Sequence, residues 1–184
     1  RLAGQEVAHE QGGLAAIREA VPDDAVTFWD MTIAGYWAWS CWDVRTGAFH
    51  SAQGAGGIGW AYGAGLGGAV GLGRRVLVVS GDGGAMYSIG ELAVARQHNL
   101  PVTWLIIDDG GYGILREYQR DSFGETTAVD LVEPDFVAVA EAFGVPAERT
   151  TPDELGVALE RAFSQKGPAL VHLPVLLRMW APTS

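Results

Sequence analysis

Two short acidic turns carry the most suggestive chemistry in the chain: Gly81-Asp82-Gly83-Gly84 and Asp108-Asp109-Gly110-Gly111. A carboxylate among glycines can ligate a hard cation, while the bare backbone beside it can approach an anion closely. Mg²⁺ takes about six oxygens, typically one or two carboxylates completed by phosphate and water. Asp82 and Asp109 can supply two of these oxygens, and the Gly111 carbonyl a third if the glycines bend that chain inward. The N–H groups of Gly83, Gly84 and Ala85 stand where a helix is expected to begin, a place that favours an anion. A metal-bound diphosphate satisfies both halves of such a site. An Asp-Gly pair is also a common turn, so each turn alone reads as a cap; the two together at strand ends point to a ligand site.

The elements that must position these turns are legible from hydrophobic pattern. Residues 76–80 and 102–107 are short apolar runs rich in β-branched side chains, as expected of strands buried on both faces. Residues 85–98 read as the helix between them, giving a βαβ unit whose two acidic turns follow the carboxyl ends of parallel strands. Upstream, Leu14, Ile17 and Val21 form one face of a helix that stops at Pro22. Residues 25–29 read as the first strand, ending in a third polar turn, Asp30-Met31-Thr32. Downstream, residues 114–120 read as a short helix, and residues 121–132 as an irregular loop or lid. Phe136, Val139, Ala140 and Phe143 share a helical face that Gly144 ends. Thr151-Pro152-Asp153-Glu154 reads as a capping box opening a helix buried through Leu155, Ala158, Leu159 and Ala162. Residues 168–175 form a last strand. The expected fold class is α/β, a three-layer doubly wound, mostly parallel sheet, with all 184 residues in one domain.

A glycine-rich stretch offers a competing reading. Gly54-Ala55-Gly56-Gly57-Ile58-Gly59 fits G-x-G-x-x-G, with Asp82 as the downstream acid, so an NAD(P)-binding dehydrogenase domain using residues 54–59 is an alternative. Against it, the preceding residues 48–53 include His, Ser and Gln, and Asp82 lies in a glycine turn rather than at a ribose-binding strand end. The glycines of residues 58–72 otherwise let a helix pack closely on the sheet. Trp37, Trp39 and Trp42, flanked by Trp29 and Trp60, read as core or interface before they read as a pocket wall. Cys41 among them reads as a small buried hydrophobe.

Bulk properties bound the partners. The formal charge of −10 argues against nucleic acid and anionic membranes, and no uninterrupted apolar run is long enough to span a bilayer. The single cysteine suits a reducing, cytoplasmic compartment. The chain lacks an initiator Met, and the expectation is a piece of a longer protein.

Gly81-Asp82-Gly83 followed by Asp108-Asp109 resembles the thiamine diphosphate motif, which runs from Gly-Asp-Gly to Asn-Asn. The flanking GGIGWAYGAGLGGAVGLG and GGYGILREYQ are similar to the 2-oxo acid decarboxylase and acetolactate synthase family, with local similarity to benzoylformate decarboxylases around residues 112–118. The resemblance covers nearly the whole chain and implies its carboxyl-terminal, diphosphate-binding domain. It implies Mg²⁺ held by Asp82, Asp109 and the Gly111 carbonyl, diphosphate contacts from Gly83, Gly84, Tyr112 and Thr32, and Gly81 and Ala85 as further cofactor-binding positions. It implies that the Gly56 carbonyl accepts from the cofactor's aminopyrimidine and that Ile58 is the apolar wedge that bends the cofactor. Ile114, Leu115 and Tyr118 match positions lining the substrate pocket, though they also read as one buried helix face.

This chain departs from the family pattern by carrying Asp108-Asp109 in place of Asn-Asn, and Ile114 and Tyr118 where acetolactate synthases usually carry Met and Trp. The family's activating glutamate lies on a separate pyrimidine-binding domain whose motifs are not found here, so no catalytic residue is expected in this chain. The expected partners are that domain, in the same or another chain, a small 2-oxo acid, and further copies in a dimer or tetramer. A non-catalytic cofactor-binding or assembly module is the remaining alternative.

Overall fold

Parallel pairing joins all six strands: β1 (Val26–Trp29), β2 (Ala48–Ser51), β3 (Val76–Gly81), β4 (Val102–Asp108), β5 (Ala147–Arg149) and β6 (Ala169–Pro174). Their order across the computed structural model is β2-β1-β3-β4-β6-β5, and the structure describes residues 7–132 and 134–179. The central strands are the most apolar. Every residue of β4 is buried, and so is every residue of β3 except its terminal Gly81.

Alternation along these strands sorts the core into two layers. Leu77, Val79, Leu105 and Ile107 face α1 (Ala8–Ala20), α2 (Ile33–Cys41) and α8 (Leu155–Phe163). Val76, Val78, Trp104 and Ile106 face α3 (Trp60–Leu72), α5 (Leu92–Gln97) and α7 (Phe136–Ala142). Each fully buried Val, Leu or Ile contributes about 1.5–3 kcal/mol, so both faces hold the sheet firmly. The expected three-layer α/β architecture is the one observed. Glycine lets α3 lie close: a Cβ at Gly65 would overlap Val78, and one at Gly68 would overlap the Phe28 ring.

The strand order positions the site. From β1 the chain steps outward to β2, then returns past β1 to β3. The order therefore reverses between β1 and β3, and a crevice opens at their carboxyl ends. Both acidic turns and the Asp30-Met31-Thr32 turn lie on this edge.

Several local expectations are corrected. The single helix over residues 85–98 is instead α4 (Asp82–Ala85), a 3₁₀ turn Ile89–Glu91, and α5. Ser88 and Gly90, both poor helix formers, fall at the break. The α6 helix (Gly113–Phe123) runs past residue 120, so the irregular segment starts at Gly124. Thr151 makes no side-chain cap; the Glu154 N–H instead donates to its carbonyl at 3.1 Å, closing a 3₁₀ turn ahead of α8. Asp135 is a cap that the pattern did not reveal: its Oδ1 accepts from the Val137 and Ala138 N–H groups at 3.1 Å each. Cys41 is exposed rather than buried. Trp29 and Trp37 are core residues, with Trp42 packed edge-on against Trp29 at 5.1 Å between centroids. Among the described residues, no helix is long and apolar enough to cross a membrane.

Candidate functional site

The carboxyl ends of β1, β3 and β4 open into a cleft of about 550 Å³. Thr32 enters it from the end of β1, and Gly56 and Ile58 from the loop before α3. Gly81, Asp82, Gly83 and Gly84 line it from the β3–α4 turn, and Asp109, Gly111 and Tyr112 from the turn after β4. Ile114, Leu115 and Tyr118 complete the wall from α6. One predicted residue stands apart: Ala85 is fully buried in the core and does not line the cleft. None of the described tryptophans lines this cleft. The α4 helix is a single turn, so its N–H groups count for more than any dipole summed along it.

The two acids are an unusual pair. Register places Gly81 beside Ile107, so Asp82 and Asp109 leave neighbouring strands at almost the same height. Asp82 is buried, and among the described residues its Oδ2 has no hydrogen-bond partner; neither does Asp109 Oδ1. Burial first, then the charges of Asp109 and Asp108, push the Asp82 pKa up to about 7. Burial raises Asp109 to about 6, against the opposing pull of Arg116. Leaving a buried carboxylate oxygen unsatisfied is costly, and two beside each other repel. A divalent cation would relieve both penalties at once. Among the described residues no cluster of three or more His, Cys, Asp or Glu side chains stands ready for a metal. Two carboxylates with room for a ligand's own oxygens fit Mg²⁺ rather than an all-protein cage.

The surrounding acids, by contrast, are satisfied. Asp30 is buried at the end of β1 and accepts from the N–H groups of Gly59, Trp60 and Ala61 at 3.0, 3.1 and 3.4 Å. The Ser80 hydroxyl also donates to it, while accepting from Trp104 Nε1 at 3.1 Å. Asp108 Oδ2 lies 2.7 Å from His172 Nε2 on β6, and its Oδ1 accepts from the Gly110 N–H at 3.1 Å. The Arg116 guanidinium donates to the Asp109 and Gly110 carbonyls at 3.1 Å each and to Asp130 at 3.0 Å. It thereby ties the turn after β4 to residues 128–131, which also pair with it through Tyr112 N–H to the Val129 carbonyl at 2.8 Å. Glycine is required in this turn, since a Cβ at Gly111 would overlap the Val129 carbonyl and one at Gly113 the Asp109 carboxylate.

Comparison with known proteins decides the family. Residues 30–173 match the family of the thiamine pyrophosphate enzyme, C-terminal TPP binding domain. The chain belongs to this family. Thiamine pyrophosphate is the thiamine diphosphate of the sequence motif. The domain is 35% identical over 117 residues to an acetolactate synthase of Bacillus subtilis, covering 63% of this chain and 20% of that one. It is 31% identical over 156 residues to a benzoylformate decarboxylase of Pseudomonas aeruginosa, covering 83% of this chain and 30% of that one. The solved thiamine diphosphate-dependent 4-hydroxybenzoylformate decarboxylase of Rhodococcus jostii superposes with a TM-score of 0.81 at 30% identity, over 90% of this chain and 32% of that one. The domain thus spans a third or less of the length of these relatives.

The TPP-binding domain also disposes of the dinucleotide reading. That reading needs free N–H groups at the start of α3 to hold a pyrophosphate. Here the Asp30 carboxylate already takes them, and a second anion there would meet a buried negative charge. Sequence reasoning noted the turn at Asp30 but missed this role, which depends on a partner 29 residues away. Tyr36 and Tyr87, both lining the cleft, were missed as well. Tyr87 stands beside Tyr112 and Tyr36 beside Tyr118, so each extends a residue that was identified. Arg116 carried a signal that went unread: a cation one helical turn beyond Tyr112, next to an acid pair short of positive charge.

Proposed function

We propose that this TPP-binding domain holds Mg²⁺–thiamine diphosphate by its diphosphate end, as one half of the active site of an enzyme that decarboxylates a 2-oxo acid, joins the product to a second carbonyl compound, or does both. The observation that carries the reading is the pair of unsatisfied, buried carboxylate oxygens on Asp82 and Asp109, facing one cleft. Asp82, Asp109 and the Gly111 carbonyl would hold the metal. Thr32, Tyr112 and the backbone of Gly81, Gly83, Gly84 and Ala85 would hold the diphosphate. The Gly56 carbonyl would take the aminopyrimidine, and Ile58 would support the bend between the two rings.

When bound, the cofactor supplies a site that stabilises the carbanion left by loss of CO₂. This chain's residues orient it and set the surrounding charge. Gly83 and Gly84 give the backbone close access: a Cβ at Gly83 would come within 2.8 Å of the Tyr112 ring. Ile114, Leu115 and Tyr118, joined by Ile33, Val175 and Leu177, make the outer cleft largely apolar, which suits the side chain of a 2-oxo acid and excludes water. The relatives' names, acetolactate synthase and benzoylformate decarboxylase, support both halves of the reaction class. No side chain of this cleft is assigned the activation of the cofactor; that task falls to a pyrimidine-binding domain in the same or another chain, with assembly into a dimer or tetramer.

Titration calorimetry tests the reading. Thiamine diphosphate with Mg²⁺ is expected to bind and NAD is not; binding of NAD alone would reverse the assignment. Adding a pyrimidine-domain partner is expected to bring CO₂ release from pyruvate or benzoylformate, and a complex that binds cofactor yet releases none would make the domain a binding module.

A further inference from the structure

The Asp30 carboxylate sits where three parts of the site meet, and nothing in the cofactor assignment uses it. Its Oδ2 accepts from the Gly59 N–H at 3.0 Å, and its Oδ1 from Trp60 at 3.1 Å and Ala61 at 3.4 Å. Those are the first free N–H groups of α3, which its own N-cap, Gly59, cannot satisfy because it has no side chain. A carboxylate from another strand therefore caps the helix. On its other side the same carboxylate packs on the diphosphate turn: a Cβ at Gly84 would stand 2.8 Å from Asp30 Oδ2. From behind, the Ser80 hydroxyl fixes it, and Trp104 fixes Ser80. Asp30 is 1% exposed, so it has no access to a ligand of its own.

Gly59 directly follows Ile58, and its φ of +77° places it in the left-handed region that favours glycine. A Cβ there would come within 2.5 Å of the Tyr87 Cβ. The loop carrying Gly56 and Ile58 thus reaches the helix through one permitted conformation, and the Asp30 bonds hold that conformation in place.

We propose that Asp30 is a positioning residue that fixes Gly56 and Ile58 relative to the Gly81–Gly84 turn, and so sets how the organic part of the cofactor is held without bearing on its diphosphate. The proposal rests on the thiamine diphosphate reading. It makes the site two separable units: an acid-and-glycine anchor for the metal diphosphate, and a ring-holding loop whose placement depends on one buried carboxylate.

The test compares two ligands, Mg²⁺–thiamine diphosphate and Mg²⁺–pyrophosphate, on the 184-residue chain by titration calorimetry. In Asp30→Asn the amide NH₂ replaces one acceptor, so either Gly59 or the Trp60–Ala61 pair faces a donor. The expected result is a loss of about tenfold in thiamine diphosphate affinity, the scale of one hydrogen bond to a charged group, with pyrophosphate affinity unchanged. Amide exchange at residues 59–61 should quicken while β3 and β4 stay protected. Gly56→Ala, which strains the loop at a φ of +68° while its Cβ meets open space, away from both the carboxylate and the Gly81–Gly84 turn, should give the same selective loss and serves if Asp30→Asn does not fold. Equal losses for both ligands, or none for either, would overturn the proposal. If the parent chain itself binds neither ligand, the failure belongs to the thiamine diphosphate reading.

Discussion

Four aspartates stand at the carboxyl ends of β1, β3 and β4, and they fall into two kinds. Asp30 and Asp108 are buried and bonded, the first to three N–H groups of the α3 start and the second to His172 and the Gly110 N–H. Asp82 and Asp109 lie beside them, each with a carboxylate oxygen that makes no hydrogen bond among the described residues. All four are aspartates at strand ends, so residue type does not separate them. Partnership does. A buried acid with its bonds filled is part of the scaffold, and a buried acid with a bond to spare is waiting for a ligand.

Substitution should split the two kinds in opposite directions, and the largest effect belongs to the unsatisfied pair. Asp82→Asn is expected to weaken Mg²⁺-dependent thiamine diphosphate binding by at least about a hundredfold, beyond what losing an outer-sphere partner costs. The same change removes a buried charge that repels Asp109, so the ligand-free chain should melt no lower than its parent. Calorimetry and a thermal melt check this together; tight cofactor binding by the variant would break the distinction. His172→Leu should do the reverse. It strips a buried carboxylate of a 2.7 Å partner and should lower stability by about 2–3 kcal/mol in urea unfolding, with a smaller effect on the cofactor. A variant as stable as the parent would place Asp108 with the ligand acids.

The unsatisfied pair should also set the response to pH. Burial raises Asp82 to about 7 and Asp109 to about 6, while both titrate near 4 in the unfolded chain. Between about 4 and about 7 the native state therefore holds more protons than the unfolded state, and metal-free stability falls as pH rises across that window. Melting temperatures measured from pH 5 to 8 should drop by a few degrees, and saturating Mg²⁺ with cofactor should abolish the drop. The Asp82→Asn, Asp109→Asn double variant should flatten most of it, leaving the part due to Asp30, which burial also raises. A melting temperature that climbs over this range would contradict the assignment.

How much of this was readable in the sequence follows the same division between centre and periphery. β3 and β4 announce themselves because burial on both faces leaves unbroken apolar runs, and the turns that follow them were located to within one residue, each strand running one residue further than expected. The edge strands β2 and β5 were not read as strands. Ala-Phe-His-Ser and Ala-Glu-Arg are half-buried, pair on one side only, and need no apolar run. The cleft was legible where a family motif and a strand end coincided, at Asp82, Asp109 and Gly111. It was not legible at Asp30, Asp108 and Arg116, whose roles rest on partners brought together by the sheet. Local text shows that an acid is there; only the fold shows whether its oxygens are taken.

Arg116 is where the two kinds meet, and it should give the smallest effect. Its fork donates to the Asp109 and Gly110 carbonyls and to Asp130, while its Nη1 stays 3.8 Å from Asp109 Oδ1, too far for a hydrogen bond. It therefore holds the turn by its backbone and leaves Asp109 Oδ1 without a hydrogen bond among the described residues. Lysine keeps the charge but cannot make a planar fork to three acceptors. Arg116→Lys is expected to weaken cofactor binding only about three- to fivefold, since most of the field at Asp109 survives, and to speed amide exchange at residues 129–131, which depend on the strap. If binding strengthened instead, Arg116 would be competing with the cation for Asp109 rather than presenting it, and Asp109 would belong with the satisfied acids after all.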